Sequence, residues 1–249
     1  VIGVVVVSHS PALANAAVSL ALEMVRGDAP RIAVAAGAGE DAAGSPVIGT
    51  DAVRVAEAID EVAGPDGVLV FMDLGSAVLS AGMALELTSS ESEVRLSRAP
   101  FVEGIVAGVV LAAAGATLDE ADREASSAMT AKNEQLAPGG ESEPAASPPT
   151  PEPVGGPGSE VVAEVALINK LGLHARPAAA IVAAMGRFDA DVAVAAPASG
   201  RSVSASSLMG MMTLGAQGGA VLRITGSGSD AAEAVEFIRV MVAGGFGEE

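Results

Sequence analysis

Cysteine, tryptophan and tyrosine are absent from this chain of 249 residues, and histidine occurs only twice, as His9 and His174. The missing thiols exclude a disulfide framework, thiolate chemistry and a zinc–sulfur centre. Five Phe make up the whole aromatic complement, so there is no set of rings on which bases could stack. Basic residues are scarce too, 13 against 31 acids, and the net charge of -18 repels nucleic acid and anionic lipid alike. Half the residues are hydrophobic, but long apolar runs are lacking. GIVAGVVLAAAGA at 104–116 falls short of the ~20 residues that cross a bilayer. No basic stretch precedes an apolar segment at the start, so the expectation is a soluble, cytoplasmic protein without a secretory signal. Neither G-x-G-x-x-G nor G-x-x-x-x-G-K-[ST] occurs, which removes the phosphate loops of a nucleotide-binding enzyme.

What is present divides the chain. PGGESEPAASPPTPEPVGGPG (138–158) is proline-rich, acidic and nearly free of large apolar side chains, and is expected to be a flexible linker. It separates residues 1–137 from residues 159–249, each long enough for a compact domain. The acidity is concentrated in the first segment, with nineteen acids against seven bases, compared with nine against six in the last.

In residues 1–137, short apolar runs at 2–7, 31–37, 67–73 and 93–97 alternate with helical spacings. Ser10 is a good cap ahead of Pro11, and Leu13, Ala17, Leu20, Ala21 and Met24 recur at helical intervals. Thr50 is placed to cap a helix carrying Val53, Ala56, Ile59 and Val62, and further helices are expected at about 76–87, 101–114 and 118–136. Strands apolar on both faces, alternating with helices, predict an α/β domain with a doubly wound, mostly parallel sheet. Residues 159–249 read differently. EVVAEVALIN (160–169) alternates, as a strand with one wet face does; further strands at 191–196, 200–205 and 220–228 join helices at 175–188, 207–212 and 230–243. This pattern predicts an α+β open-faced sandwich, one sheet with its helices on one side.

Ligands of open parallel sheets meet the protein beyond the carboxyl ends of the strands, and His9 stands there, before the helix that Pro11 opens. The N–H groups and positive dipole end of that helix favour a phosphoryl group. A histidine that accepts phosphate needs one free ring nitrogen and an acceptor that fixes the other. Asp73, closing the third apolar run in FMDLGSA, can reach the same edge. Gly75 then permits a tight turn, and Ser76 can cap the next helix or donate to phosphate. Position alone leaves His9 equally readable as a loop or capping residue, and Asp73 as a turn residue. His174 lies in NKLGLHARPAAAIV, where Pro177 falls in the opening turn of a helix and Arg176 sets a guanidinium near the ring. A fixed cation compensates phosphate charge, although a surface pair without function fits the same spacing. Neither histidine has another histidine or a cysteine nearby, so no metal is expected.

These segments carry a resemblance. VVVSHSPALA (5–14), IAVAAG (32–37), VIGTDAVRVAEAI (47–59), VLVFMDLGSAVLSAGMALEL (68–87) and APFVEGIVAG (99–108) resemble the mannose-type EIIA domain of the DhaM family, the phosphocarrier subunits of bacterial dihydroxyacetone kinases. NKLGLHARPAA (169–179) and SSLMGMMTLGA (206–216) resemble HPr, the histidine phosphocarrier of the sugar phosphotransferase system. The resemblance implies that His9 carries phosphate on the ring nitrogen farther from the backbone, oriented by Asp73. It implies that His174 uses the nearer nitrogen, with Arg176 as its phosphate partner. The implied route runs from phosphoenolpyruvate through enzyme I to His174, then His9, then Mg-ADP on a DhaL subunit, whose ATP phosphorylates dihydroxyacetone (glycerone) on DhaK. The chain itself is then a phosphotransferase component with no bound cofactor beyond transient phosphohistidine, and its EIIA part is expected to form a homodimer.

Other residues are placed by their position in the chain or by the resemblance. Ser10 and the Gly49-Thr50-Asp51 loop are expected to line the His9 edge, and Glu103 either joins that rim or serves as a helix N-terminal charge. Ser207 aligns with a serine that is regulated by phosphorylation in some HPr proteins, but VSASSLMG lacks the basic residue often found before it, and a helix-start cap is the other reading. Met209, Met211 and Met212 are expected to share between a docking face for enzyme I and EIIA domains and plain core. Some relatives continue into an enzyme I-like segment after HPr; this sequence stops at Glu249, so a separate enzyme I is the expected donor unless the sequence is truncated. Two alternatives remain at this level. One is a sugar-uptake EIIA–HPr fusion delivering to a membrane-associated EIIB, disfavoured by SHS where sugar-type members have a THG-like sequence. The other is a regulatory protein whose phosphorylation state controls partners.

Overall fold

The computed structural model describes residues 1–25, 27–136, 160–196 and 200–247, and the expected linker at 138–158 lies outside them. The chain forms two compact units, each with its own four-stranded sheet. No helix among the described residues is long and apolar enough to cross a membrane.

Along the first 136 residues the elements are β1 (Gly3–Ser8), α1 (Pro11–Leu22), β2 (Ile32–Ala36), α2 (Ala52–Val62), β3 (Val68–Met72), α3 (Gly75–Leu87), β4 (Val94–Leu96), α4 (Phe101–Ala113) and α5 (Leu118–Leu136). The strands pair in the order β2-β1-β3-β4, all parallel. Every residue of β1 is buried, because α1 and α4 pack together on the sheet, as do α2 and α3. Successive side chains of a strand point to opposite faces. Val5, Val7, Val68 and Val70 accordingly join Val55, Ile59, Val62, Ala77 and Ala81 in one cluster. The opposite face meets α4 through Phe71, where a Cβ at Gly108 would lie 2.5 Å from the ring carbon Cζ. Glycine there lets the helix reach the ring. The doubly wound sheet expected from the apolar runs is present.

Two local expectations are corrected. Leu13 and Leu20 of α1 are exposed, and the helix rests on Ala14, Ala17 and Ala21, whose small side chains allow close approach. The cap of α2 is Asp51, not Thr50: its Oδ1 accepts from the N–H of Val53 at 2.8 Å and of Arg54 at 3.4 Å. Aspartate is the stronger capping residue of the two.

Further along the chain lie β5 (Val161–Ala166), α6 (Ala175–Met185), β6 (Ala190–Ala196), β7 (Arg201–Ser204), α7 (Leu208–Thr213), β8 (Val221–Gly228) and α8 (Ala231–Ala243). The second sheet has the order β5-β8-β6-β7 and is antiparallel throughout. Burial alternates along β5 and β8, since α8 packs across β5, β8 and β6. Val192, Val194, Leu222 and Ile224 of the strands and Val235 and Ile238 of the helix are buried. Met209 and Met211 are buried core residues. Only Met212 of the three methionines is partly exposed, which removes most of the docking face expected there.

Candidate functional site

In the order β2-β1-β3-β4 the chain leaves β1 toward one edge and returns to β3 on the other side. The carboxyl ends of β1 and β3 therefore flank the switch point at which open α/β sheets bind ligands. His9 follows β1 and Asp73 follows β3. The two side chains meet: His9 Nδ1 lies 2.8 Å from Asp73 Oδ1. Asp73 Oδ2 accepts from the His9 backbone N–H at 2.8 Å and from the Ser8 hydroxyl at 2.8 Å, and Oδ1 also accepts from the Leu74 N–H at 2.7 Å. Burial alone would raise the carboxyl's pKa. The donations from the His9 backbone, the His9 ring, the Ser8 hydroxyl and the Leu74 backbone outweigh it and hold the group below its ordinary range. The carboxylate is covered, with its side chain 6% exposed, whereas the ring keeps 18% and can meet a partner.

With Nδ1 held by a carboxylate, a neutral ring carries its proton there and presents the Nε2 lone pair. That nitrogen is hydrogen-bonded to the Ser76 hydroxyl. Ser76 is the second residue of α3, whose N-cap position is Leu74 with no side-chain cap bond. Of the two readings of Ser76, the helix cap is not realised; its hydroxyl meets the ring instead. The helix terminus beside the outward nitrogen is also that of α3. At α1, Pro11 has no N–H, while Ser10 caps by accepting from the Leu13 N–H at 3.3 Å and its carbonyl takes the Ala14 N–H at 3.1 Å. Gly75 has no positive φ, so no tight turn requires it.

The 49–51 loop does come to this edge. The Gly49 N–H donates to the His9 carbonyl at 3.2 Å. The Thr50 hydroxyl lies 2.8 Å from that of Ser80 and 3.4 Å from the Ser76 carbonyl, tying the loop to α3. Glu103 falls in the first turn of α4. Two residues escaped the sequence reading. Ser8 is fully buried beneath the ring, donating to Asp73 and accepting the Ser10 N–H at 3.1 Å; the paired serines of SHS were the available signal. Ser80 carried no signal beyond lying one turn after Ser76.

His174 is half-buried immediately before α6, with Arg176 exposed in that helix's first turn. Its approach is tightly defined. Gly172 has φ +69°, and a Cβ there would stand 2.2 Å from the Ala216 carbonyl oxygen, so only glycine fits. The Leu173 N–H donates to that carbonyl at 2.8 Å, and the His174 N–H to the Gly172 carbonyl at 3.1 Å. The Asn169 amide donates to the same Gly172 carbonyl at 2.6 Å. Ser207 is the N-cap of α7 and accepts from the Gly210 N–H at 2.9 Å. No group of three or more His, Cys, Asp or Glu side chains among the described residues is arranged to hold a metal ion.

Two family models match the chain: the PTS system fructose IIA component over residues 3–122 and the PTS HPr component phosphorylation site over residues 161–243. A Klebsiella michiganensis protein, "PEP-dependent dihydroxyacetone kinase, phosphoryl donor subunit DhaM", is 40% identical over 249 residues, covering 99% of this chain and 51% of that protein. The chain thus spans about half the length of the curated relatives that match it throughout. A Listeria innocua protein, "PEP-dependent dihydroxyacetone kinase 2, phosphoryl donor subunit DhaM", is 34% identical over 44% of this chain and 84% of its own length. The phosphocarrier protein HPr of Cupriavidus necator is 38% identical over 34% of this chain and 93% of its own length. The switch-point histidine with its carboxylate and these matches agree: the chain belongs to the DhaM family, with an EIIA-type part at 3–122 followed by an HPr-type part at 161–243.

Proposed function

We propose that the chain is a cytoplasmic phosphohistidine carrier. A phosphorylated enzyme I charges His174, His174 charges His9, and His9 delivers the phosphoryl group to Mg-ADP on a DhaL-type subunit. The ATP formed there serves phosphorylation of dihydroxyacetone on a DhaK-type subunit. The domains are residues 1–137 and 159–249, joined by 138–158, and the first forms a homodimer. The observation that carries this reading is the His9 Nδ1 to Asp73 Oδ1 contact of 2.8 Å, which leaves Nε2 outward against Ser76.

The chemistry follows from that contact. In an in-line transfer, the His9 Nε2 lone pair forms a bond to phosphorus as the bond from phosphorus to a His174 ring nitrogen breaks. His9 keeps its Nδ1 proton, so the phosphorylated ring becomes cationic, and the adjacent Asp73 carboxylate balances it. His174 regains its lone pair. Arg176 serves the phosphate at His174. At His9, the Ser76 hydroxyl turns from Nε2 to a phosphoryl oxygen, at a helix start whose first N–H groups lack intrahelical acceptors.

The test loads the chain with labelled phosphate from phosphoenolpyruvate and enzyme I, then adds candidate acceptors. A DhaL-type subunit carrying Mg-ADP should discharge the label with formation of ATP. Discharge by a sugar-permease EIIB and not by DhaL with ADP would contradict the assigned acceptor.

A further inference from the structure

Ser76 meets the reactive nitrogen of His9, yet its own helix does little to hold it there. α3 starts at Gly75 behind Leu74, which makes no side-chain cap bond. A Cβ added at Gly75 would meet nothing within 4 Å, so no neighbour crowds that first turn. Ser76 itself is exposed, and an exposed serine has three staggered rotamers open to it. The support comes from another element. Thr50 is half-buried, with its Oγ1 2.8 Å from Ser80 Oγ and 3.4 Å from the Ser76 carbonyl oxygen. Ser80 is half-buried one turn beyond Ser76, on the same face of α3. A hydroxyl has one proton to give, so Thr50 gives its own to the Ser76 carbonyl and takes that of Ser80. The loop is anchored on both sides of Thr50. The Gly49 N–H donates to the His9 carbonyl at 3.2 Å, and Asp51 caps α2. Gly49 has φ +154°, and a Cβ there would stand 2.8 Å from that of Ala38, so glycine admits the loop to this edge.

These contacts close a ring. From His9 the path runs through its carbonyl to Gly49, through the Thr50 hydroxyl to the Ser76 backbone, and through the Ser76 hydroxyl back to His9 Nε2. The ring fixes the separation between the nucleophilic nitrogen and the first turn of α3. That separation decides whether the Ser76 hydroxyl meets a phosphoryl oxygen when phosphorus arrives on Nε2. Misplacing a group at the reacting centre by about 1 Å can cost on the order of 10²-fold in rate. We infer that Thr50, held by Ser80, is a positioning residue for phosphoryl transfer at His9: it acts through Ser76 and does not itself touch the phosphate. This rests on the reading of His9 as a phosphate acceptor and names what sets its geometry.

A double-mutant cycle in the full chain tests this. His174→Ala serves as the parent, so that label supplied from a separate phosphorylated HPr reads transfer to His9 alone. Thr50→Val keeps the side-chain shape without the hydroxyl and should slow labelling of His9 by about tenfold. Thr50→Ser, which restores the hydroxyl, should recover the rate. Ser76→Ala should also be slow, and adding Thr50→Val to it should cost less than about twofold more, because groups acting through one contact are not additive. Ser80→Ala removes the same bond from the helix side and should match Thr50→Val, so it decides the matter should Thr50→Val fail to fold. A Thr50→Val rate within about twofold of the parent would overturn the positioning role. So would equal slowing with and without the Ser76 hydroxyl, since Thr50 would then act on the fold and not through Ser76. A parent that takes no label at His9 would overturn the acceptor reading itself, and the inference with it.

Discussion

Asp73 carries four donations at once, from the His9 ring, the His9 backbone, Ser8 and Leu74. They hold it ionised through neutral and mildly acidic pH. Its depressed pKa supports the fold above the ordinary carboxylate range and loses that support as pH falls through the folded-state value. Asp73→Asn keeps an acceptor near Nδ1 but removes the charge that balances a phosphorylated, cationic ring. The variant should fold and lose phosphoryl transfer through His9 by roughly 10²- to 10⁴-fold, measured by rapid-quench labelling. A rate within a few-fold of wild type would remove Asp73 from the chemistry. ³¹P and ¹⁵N NMR of the charged chain should place phosphate on His9 Nε2. His9 and Asp73 were legible in the sequence because each ends an apolar run, and parallel strands bring such ends to one edge. Ser8 was not, because a serine closing a strand looks the same whether it faces solvent or a buried carboxylate.

The helices succeed or fail through small residues and their ends. A Gly108→Ala change gains about 1 kcal/mol of helix propensity. The added Cβ would stand 2.5 Å from Phe71 Cζ, and overpacking of a filled core costs about 1–3 kcal/mol. The collision wins, so denaturant titration should show net destabilisation, relieved in part by a second Phe71→Leu change. Unchanged stability would mean that α4 shifts freely on the sheet. Another tie joins α2 to the segment after α3. Asp60 accepts from Thr88, from the hydroxyl and N–H of Ser89 and from the N–H of Ser90, which together lower its pKa to about 2. This contribution is present above about pH 4 and is lost as pH falls toward 2. In Asp60→Ala the acid limb of the stability curve should therefore flatten over that interval, while an identical limb would show the tie to be idle. Element types followed from apolar periodicity, but the detail at helix ends did not. Thr50 and Asp51 are both sound caps by composition, and only the backbone path chooses between them. At α5 the reciprocal bonds between Thr117 and Glu120 form a capping box.

At the scale of the whole chain, the two histidines stand on sheets of different architecture, and the proposed function makes of them successive carriers. The composition break at 138–158 and the change from continuous to alternating apolar runs made both architectures readable. In the proposed relay, the order in which the histidines receive phosphate is set by partners, and no single side chain encodes it. The direct measurement follows acid-labile label from phosphoenolpyruvate and enzyme I on wild type, His9→Ala and His174→Ala, with no other HPr present. Label is expected at both histidines in wild type, at His174 in His9→Ala, and not at His9 in His174→Ala until a separate HPr is supplied. Labelling of His9 by enzyme I alone in the His174→Ala protein would contradict that order.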